Sequence, residues 1–256
     1  MNWSTFFALL ARDAHVARRN LMALIAQTML QPLLLMFVFG KVLTSGGLMP
    51  AAYKSTLAPG VMGMSMLMTG IQAVAMPLIG EFQFTHEIED RLLAPMRIEW
   101  LAVEKIVGGV IQALFAGGVV MATAWLLLGS DLALNFERPI LFAAVVLLVA
   151  LLSASGGLAM GCAVGQTQIG LMFSMVLAPM IFFGCVYYPW SVLSVFPVLQ
   201  KLVLLNPLVY ASEGLRGTLS PQVPHMAPGV VIAVLSVVNT LMIALGLRLF
   251  CRKAVS

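Results

Sequence analysis

The chain has 256 residues, of which 61% are hydrophobic and only 9% are charged, and its mean hydropathy is +1.01. Soluble domains are about 45–50% apolar and about 25% charged, so this composition excludes an ordinary soluble enzyme and indicates an all-α integral membrane protein. The net charge of +4 comes from Lys and Arg residues that are scattered without forming a run or stripe, which argues against nucleic acid as a partner.

The first twenty residues are predicted to form an amphipathic helix, 1–20. Trp3, Phe7 and Leu10 share one helical face, and Arg12 and Arg19 lie opposite. A helix of this kind lies in the membrane interface with its apolar face toward the lipid.

Two apolar segments follow, and each is long enough for the roughly 20 residues that a membrane-spanning helix needs. We expect spans at 21–39 and 58–80. A charged break then runs from Glu81 to Lys105 and holds six of the ten acidic residues of the chain. The sequence predicts a short helix over 81–95, which Pro95 separates from the next span. Its apolar side chains favour docking on another protein, although they could also lie against lipid.

Four further spans are predicted at 106–128, 139–164, 169–188 and 230–249, which makes six in total. The segment 190–228 is apolar, but prolines cut it into pieces too short to cross a bilayer. Such pieces predict a re-entrant or interfacial helical hairpin, with one further kinked span as the alternative.

The orientation follows from the distribution of basic residues, which concentrate on the cytoplasmic side of membrane proteins. With the N-terminus inside, nine of the fourteen Lys and Arg residues lie on the inner side. Both termini and the charged break are therefore expected in the cytoplasm.

The chain has no G-x-x-x-x-G-K-[ST] phosphate loop, so it is not expected to hydrolyse ATP. The predicted span interiors carry no ionisable residue, which disfavours a proton-driven carrier. We identify no catalytic residues and no metal-binding constellation. These observations leave open a self-contained secondary transporter or channel, and an intramembrane lipid-modifying enzyme.

Two patterns concern packing and the predicted hairpin. Glu213 and Arg216 are spaced for a local ion pair at the outer interface, or for a gate or substrate contact. In the fourth span small residues recur every four positions, which lets another helix approach one face closely; they are Ser153, Gly157, Gly161 and Gly165.

Three segments resemble the permease subunits of ABC-2 type ATP-binding-cassette exporters. Ile88-Glu-Asp-Arg-Leu-Leu-Ala-Pro95 is similar to a cytoplasmic segment of that family, and Gly184-Cys-Val-Tyr-Tyr-Pro189 to a segment after its fifth span. Leu205-Asn-Pro-Leu-Val-Tyr210 is similar to its Asn-Pro turn. One departure is His86-Glu87-Ile88, where the family commonly has a basic residue followed by Gly-Thr.

The resemblance implies an exporter of an amphipathic small molecule, lipid or glycolipid in a bacterial inner membrane. It implies a dimer, expected to be a homodimer, bound to two separate ATPase subunits. This chain is expected to bind no cofactor itself, since those subunits bind ATP and Mg. The implied ATPase-coupling residues are Phe84, Glu87, Ile88, Glu89, Arg91, Leu92 and Pro95. The implied residues of the outer hairpin or gate are Pro189, Asn206, Pro207, Tyr210, Glu213 and Arg216.

Overall fold

The structure is a computed structural model that describes residues 10–12, 30–50, 52–83, 98–129 and 134–255. Within these ranges the chain is helical and contains no strand. In chain order the main helices are α1 (Leu30–Ser45), α2 (Tyr53–Gln83), α3 (Ile98–Leu128), α4 (Pro139–Ala163), α5 (Ile169–Phe182), α6 (Pro197–Leu202), α7 (Pro207–Leu219) and α8 (Pro228–Val255).

Four of these helices, α2, α3, α4 and α8, are long and apolar enough to cross a membrane. The prediction of an all-helical integral membrane protein is therefore confirmed. Helices α1 and α5 lie where the first and fifth spans were predicted, but their described parts are shorter. Most of the predicted interface helix, and the predicted first span before residue 30, lie outside the described residues. The count of six spans stays a prediction.

Helices α2 and α3 extend beyond their predicted spans of 58–80 and 106–128. The added turns contain Glu81 and Lys105, which hydropathy places in water but which are buried in the structure. Helix α5, in contrast, ends at Phe182, short of the predicted 188. The chain then turns, and Cys185 adopts a left-handed backbone conformation with φ 52° that an α-helix cannot continue through.

Helix α2 is the centre of the bundle and packs against α3, α4 and α7. Met62, Met64 and Met66 are almost fully buried on it. Methionine adapts its shape to irregular gaps, so these side chains fill the core between α2 and its neighbours. At one contact, a Cβ added at Gly117 of α3 would lie 2.9 Å from the sulfur of Met66.

Helix α4 approaches α2 along its row of small residues. A Cβ at Gly157 would lie 2.8 Å from the carbonyl oxygen of Ile71, and one at Gly161 would lie 3.0 Å from the Cα of Ala75. One turn earlier, Ser153 faces Gly70 of α2. Gly165 has no such neighbour, since a Cβ there would meet only the Gln168 side chain, at 4.0 Å.

Helix α8 covers the other side of α4, where the side-chain amide of Asn239 donates to the carbonyl of Leu148 at 3.0 Å. The bundle has two ends, which differ in the segments that form them. At the hairpin end lie the first turn of α2 and residues 183–227. At the Glu81 end lie the last turn of α2, the first turns of α3 and the last turns of α4 and α8.

Adjacent glycines of α4 provide a test of its packing. Gly157→Ala places a methyl group against the backbone of Ile71 and is expected to lower the midpoint of thermal unfolding in detergent. Gly156→Ala adds its methyl where no atom lies within 4 Å, so the gain in helix propensity, up to about 1 kcal/mol, remains. Thermal unfolding, followed by fluorescence-detected size-exclusion chromatography, should give a higher midpoint for Gly156→Ala than for Gly157→Ala. The opposite rank would contradict the packing.

Candidate functional site

The segment predicted as a hairpin consists of short helical pieces. A 3-10 helix spans Trp190–Val195, α6 follows at Pro197–Leu202, a second 3-10 turn covers Val203–Leu205, and α7 spans Pro207–Leu219. At 1.5 Å per residue, the 13 residues of α7 extend about 20 Å, less than the roughly 30 Å of a bilayer core. Helix α7 is buried against α2, α4 and α8.

Asn206 and Pro207 determine where α7 begins. The Asn206 side-chain oxygen accepts a hydrogen bond from the backbone N–H of Leu208 at 3.0 Å, which caps the helix. Pro207 occupies the first helical position, where its fixed φ suits the helix and its missing N–H costs nothing. The Asn206 amide also donates to the carbonyl of Met180 at 2.7 Å. The predicted Asn-Pro turn thus joins α7 to α5.

Pro189 and Tyr210 fix the local backbone at the start and near the end of the hairpin segment. The Tyr210 hydroxyl donates to the carbonyl of Leu204 at 3.1 Å and fixes the turn before α7. Pro189 is extended, with φ −67° and ψ 147°, and precedes the 3-10 helix. This places the backbone N–H of the next residue, Trp190, where it can donate to a carboxylate of α7.

That carboxylate is Glu213, which is 1% exposed. Its Oε1 accepts from the backbone N–H of Trp190 at 2.9 Å and from the guanidinium of Arg216. Its Oε2 accepts from the backbone N–H of Met226 at 2.9 Å. One side chain therefore ties α7 to the start of the hairpin and to the loop that leads into α8.

Arg216 is fully buried beside Glu213. Its second terminal nitrogen donates to the carbonyl of Cys185 at 3.0 Å, with longer contacts to Thr56 at 3.3 Å and Val186 at 3.4 Å. Burial lowers the pKa of Arg216 from its ordinary value, while the Glu213 carboxylate raises it. The ion pair therefore keeps a buried guanidinium charged and directs it at backbone carbonyls.

The carbonyls reach Arg216 because the backbones around it approach closely. A Cβ at Gly60 of α2 would lie 2.0 Å from the carbonyl oxygen of Val186, a distance that no other residue could accept. At Gly184 a Cβ would lie 2.7 Å from the carbonyl oxygen of Met180 and 2.6 Å from the Cγ of Leu208. Glycine at both positions lets the turn after α5 lie directly on α2 and α7.

Glu213 and Arg216 meet at the predicted i, i+3 spacing, and both side chains are buried inside the protein. A buried charge is tolerated only when it is paired and hydrogen-bonded, and removing one member of such a pair costs about 3–5 kcal/mol. With four backbone segments bonded to it, the pair has the geometry of a structural joint.

A second buried ion pair lies at the Glu81 end. The Lys105 ammonium of α3 contacts Oε1 of Glu81 on α2 at 2.7 Å, and both residues are at least 90% buried. It joins the end of α2 to the beginning of α3.

Helix α8 reinforces this end of the bundle. Phe82 meets Phe250 edge-to-face, with ring centroids 5.9 Å apart. The Lys253 ammonium lies 4.9 Å from the centroid of the Phe82 ring and donates to the carbonyl of Cys162 at 3.1 Å. The last turn of α2 is thus held by α3, α4 and α8 together.

The predicted ATPase-coupling residues, Phe84, Glu87, Ile88, Glu89, Arg91, Leu92 and Pro95, all lie outside the described residues. In the ranges that the structure does describe, no three His, Cys, Asp or Glu side chains are grouped closely enough to hold a metal ion.

Sequence reasoning missed the ion pair between Glu81 and Lys105, since both were assigned to an aqueous segment. It also missed the partners of Arg216, because Thr56 lies 160 residues away in the chain. A usable signal existed for the first pair: an acid and a base each lie within one residue of an expected span end, where a helical continuation could bury them.

Comparison with known proteins agrees with these features. The sequence model of the family described as "ABC-2 type transporter" matches residues 4–220. The chain is 28% identical over 221 residues to "Inner membrane transport permease YadH" of Escherichia coli strain K12, an alignment covering 84% of this chain and 82% of that protein. The proteins of the same name from Escherichia coli O157:H7 and Shigella flexneri match with the same identity and coverage.

Removing the charge of Glu213 is expected to destabilise the protein strongly. Glu213→Gln leaves the Arg216 guanidinium buried without a counter-ion, at a cost of about 3–5 kcal/mol. The measurement is the free energy of unfolding in detergent. Glu137→Gln is the control, since it removes an exposed carboxylate at the same end of the bundle and should change stability little. Equal stability of the two variants would refute the role of the pair.

The pair at the Glu81 end permits a double-mutant cycle. Lys105→Met removes the ammonium that lies 2.7 Å from the buried Glu81 carboxylate and should lower the free energy of unfolding by about 3–5 kcal/mol, whereas the double variant Glu81→Met with Lys105→Met should regain most of it. Unfolding free energies of the four proteins give the coupling directly, with the exposed Lys41→Met as a control. Additive losses would mean that the two charges do not interact.

Proposed function

Because the chain belongs to the ABC-2 type transporter family, we propose that it is the permease subunit of an ATP-driven exporter whose ATPase is a separate protein. The observation that supports this proposal is the family match over residues 4–220 of a chain with four membrane-length helices. The absence of a phosphate loop from the sequence makes a partner necessary for ATP hydrolysis.

The segment between α2 and α3 is the proposed ATPase contact. Its sequence combines charged residues with apolar ones, as a docking helix requires, and it follows directly on the buried pair of Glu81 and Lys105. A docking helix can transmit a displacement only if the end of the helix before it, here α2, is held rigidly by its neighbours. The ion pair and the packing of Phe82 support that requirement, because they fix the end of α2 to α3 and to α8.

The remaining assignments follow from the same family. Two copies of the chain form a dimer, which we expect to be a homodimer, and the dimer binds two ATPase subunits. The protein lies in a bacterial inner membrane with six spans and both termini in the cytoplasm, as the excess of basic residues on that side supports. The related permeases carry the words "inner membrane" in their name.

The substrate is proposed to be an amphipathic small molecule, lipid or glycolipid that moves outward. The described helices present extended apolar faces, with residues such as Ile111, Leu147 and Leu241 more than half exposed. Surfaces of this kind contact lipid or apolar parts of a substrate.

The test is co-purification of an ATPase with the tagged chain, followed by transport in vesicles. Glu89→Lys reverses a charge in the proposed docking helix and should abolish both ATPase co-purification and ATP-driven transport, because like charges then oppose at the contact. Glu137→Lys makes the same change on the exposed loop before α4 and should leave both intact.

Two results would contradict the proposal. One is transport by the purified chain driven by an ion gradient without ATP, which would indicate a secondary transporter. The other is a Glu89→Lys variant that retains both the ATPase and transport, which would remove the docking helix from the mechanism.

A further inference from the structure

Arg216 links the hairpin end of the bundle to α2, the helix that precedes the segment proposed to bind the ATPase. Its guanidinium donates to the carbonyl of Thr56 in the first turn of α2 and to that of Cys185 in the turn after α5. Neither of these hydrogen bonds involves the segment proposed to bind the ATPase, which follows the other end of α2. The connection therefore concerns what happens when α2 is displaced.

Helix α2 is continuous between the two ends. It runs unbroken from Tyr53 to Gln83, although Pro59 and Pro77 lie within it. Its 31 residues extend about 46 Å at 1.5 Å per residue, which exceeds the thickness of a bilayer core. A displacement of its last turn, next to the proposed docking helix, is therefore delivered to its first turn without an intervening loop.

At its first turns, α2 is in direct contact with the hairpin segment. Gly60 lies against the backbone of Val186, and a Cβ at Gly63 would lie 3.6 Å from the backbone of Ala211 and of Ser212. Helix α7 and the turn at 183–188 thus pack on α2 at glycines, where no α2 side chain lies between the two backbones. Tight contacts of this kind move together or separate completely.

We propose that Arg216, held by Glu213, is a fixed joint by which α2, α7 and the turn at 183–188 move as one body during transport. ATP-driven displacement of the docking helix then reaches the outer hairpin through α2. This inference rests on the proposed function, and it makes Arg216 a positioning residue that does not contact the substrate.

The bonding of the pair favours a joint over a gate that opens in each cycle. Both carboxylate oxygens of Glu213 are engaged, and they hold backbone N–H groups of Trp190 and Met226 as well as Arg216. Separation of α2 from α7 would break the hydrogen bond from Arg216 to the carbonyl of Thr56 and leave a fully buried guanidinium with one acceptor fewer. Movement of the whole unit leaves every one of these bonds intact.

A reversible cross-link between α2 and α7 tests the joint. Gly63→Cys is combined with Ala211→Cys, or with Ser212→Cys, in a chain whose three native cysteines are replaced. A Cβ at position 63 would lie 3.6 Å from the backbone of both Ala211 and Ser212, and formation of the disulfide is verified by its mobility on a non-reducing gel. ATP-driven transport by the complex is measured after oxidation and again after reduction, with Gly63→Cys alone as the control.

A fixed joint predicts equal transport rates in the oxidised and reduced states. Transport that stops on oxidation and returns on reduction would show that α2 and α7 must separate, and would overturn the proposal. Wild-type protein that shows no ATP-driven transport would instead refute the proposed function. The two failures are therefore distinguishable.

Arg216→Lys provides the second measurement, because lysine keeps the charge but cannot reproduce the planar donor array. We expect ATPase binding and ATP hydrolysis to persist while substrate moved per ATP falls about fivefold or more, as for a lost coupling of ordinary size. Oxidising the Gly63 cross-link in this variant should restore the yield per ATP. An unchanged yield in Arg216→Lys, or no restoration by the cross-link, would contradict the joint.

Discussion

The structure depends on the need to neutralise and hydrogen-bond one buried guanidinium. Arg216 has no access to water, so its charge is tolerated only with a carboxylate and carbonyl oxygens around it. Glu213 supplies the carboxylate, and Cys185 supplies the nearest carbonyl. The left-handed turn at Cys185 and the close backbone contact at Gly60 both bring carbonyls to this point. The short helices of the hairpin are arranged around that requirement.

The opposite end of the bundle obeys the same constraint with different partners. Glu81 and Lys105 neutralise each other where α2 meets α3, and the rings of Phe82 and Phe250 close the site beside them. Between the two ends, glycines such as Gly157 let α4 pack directly on α2. Helix α2 is thus held along its whole length, which suits its proposed role of connecting an ATPase contact to the hairpin end of the bundle.

Much of the architecture was predictable because hydropathy and turn chemistry act locally. The fourth span was predicted at 139–164, and α4 covers Pro139–Ala163. Its start was predictable because the apolar run begins at a proline, a residue that favours the first position of a helix. The prolines likewise predicted that the segment 190–228 breaks into short helical pieces, and one of these, α7, begins at Pro207. The ends of α2 and α3 were not predictable in this way, because hydropathy scores a charged side chain without knowing whether a partner will neutralise it.

The sequence by itself determined the class of protein, the approximate spans, the family resemblance and the site of the charged break, because these follow from composition and short motifs. Only the tertiary structure decided that Glu213 and Arg216 lie buried, and that Arg216 reaches Thr56, 160 residues away. The physical reason is that burial and hydrogen-bond partners are properties of the packed bundle. A spacing of three residues predicts that two charges can meet, whereas only the fold determines what surrounds them.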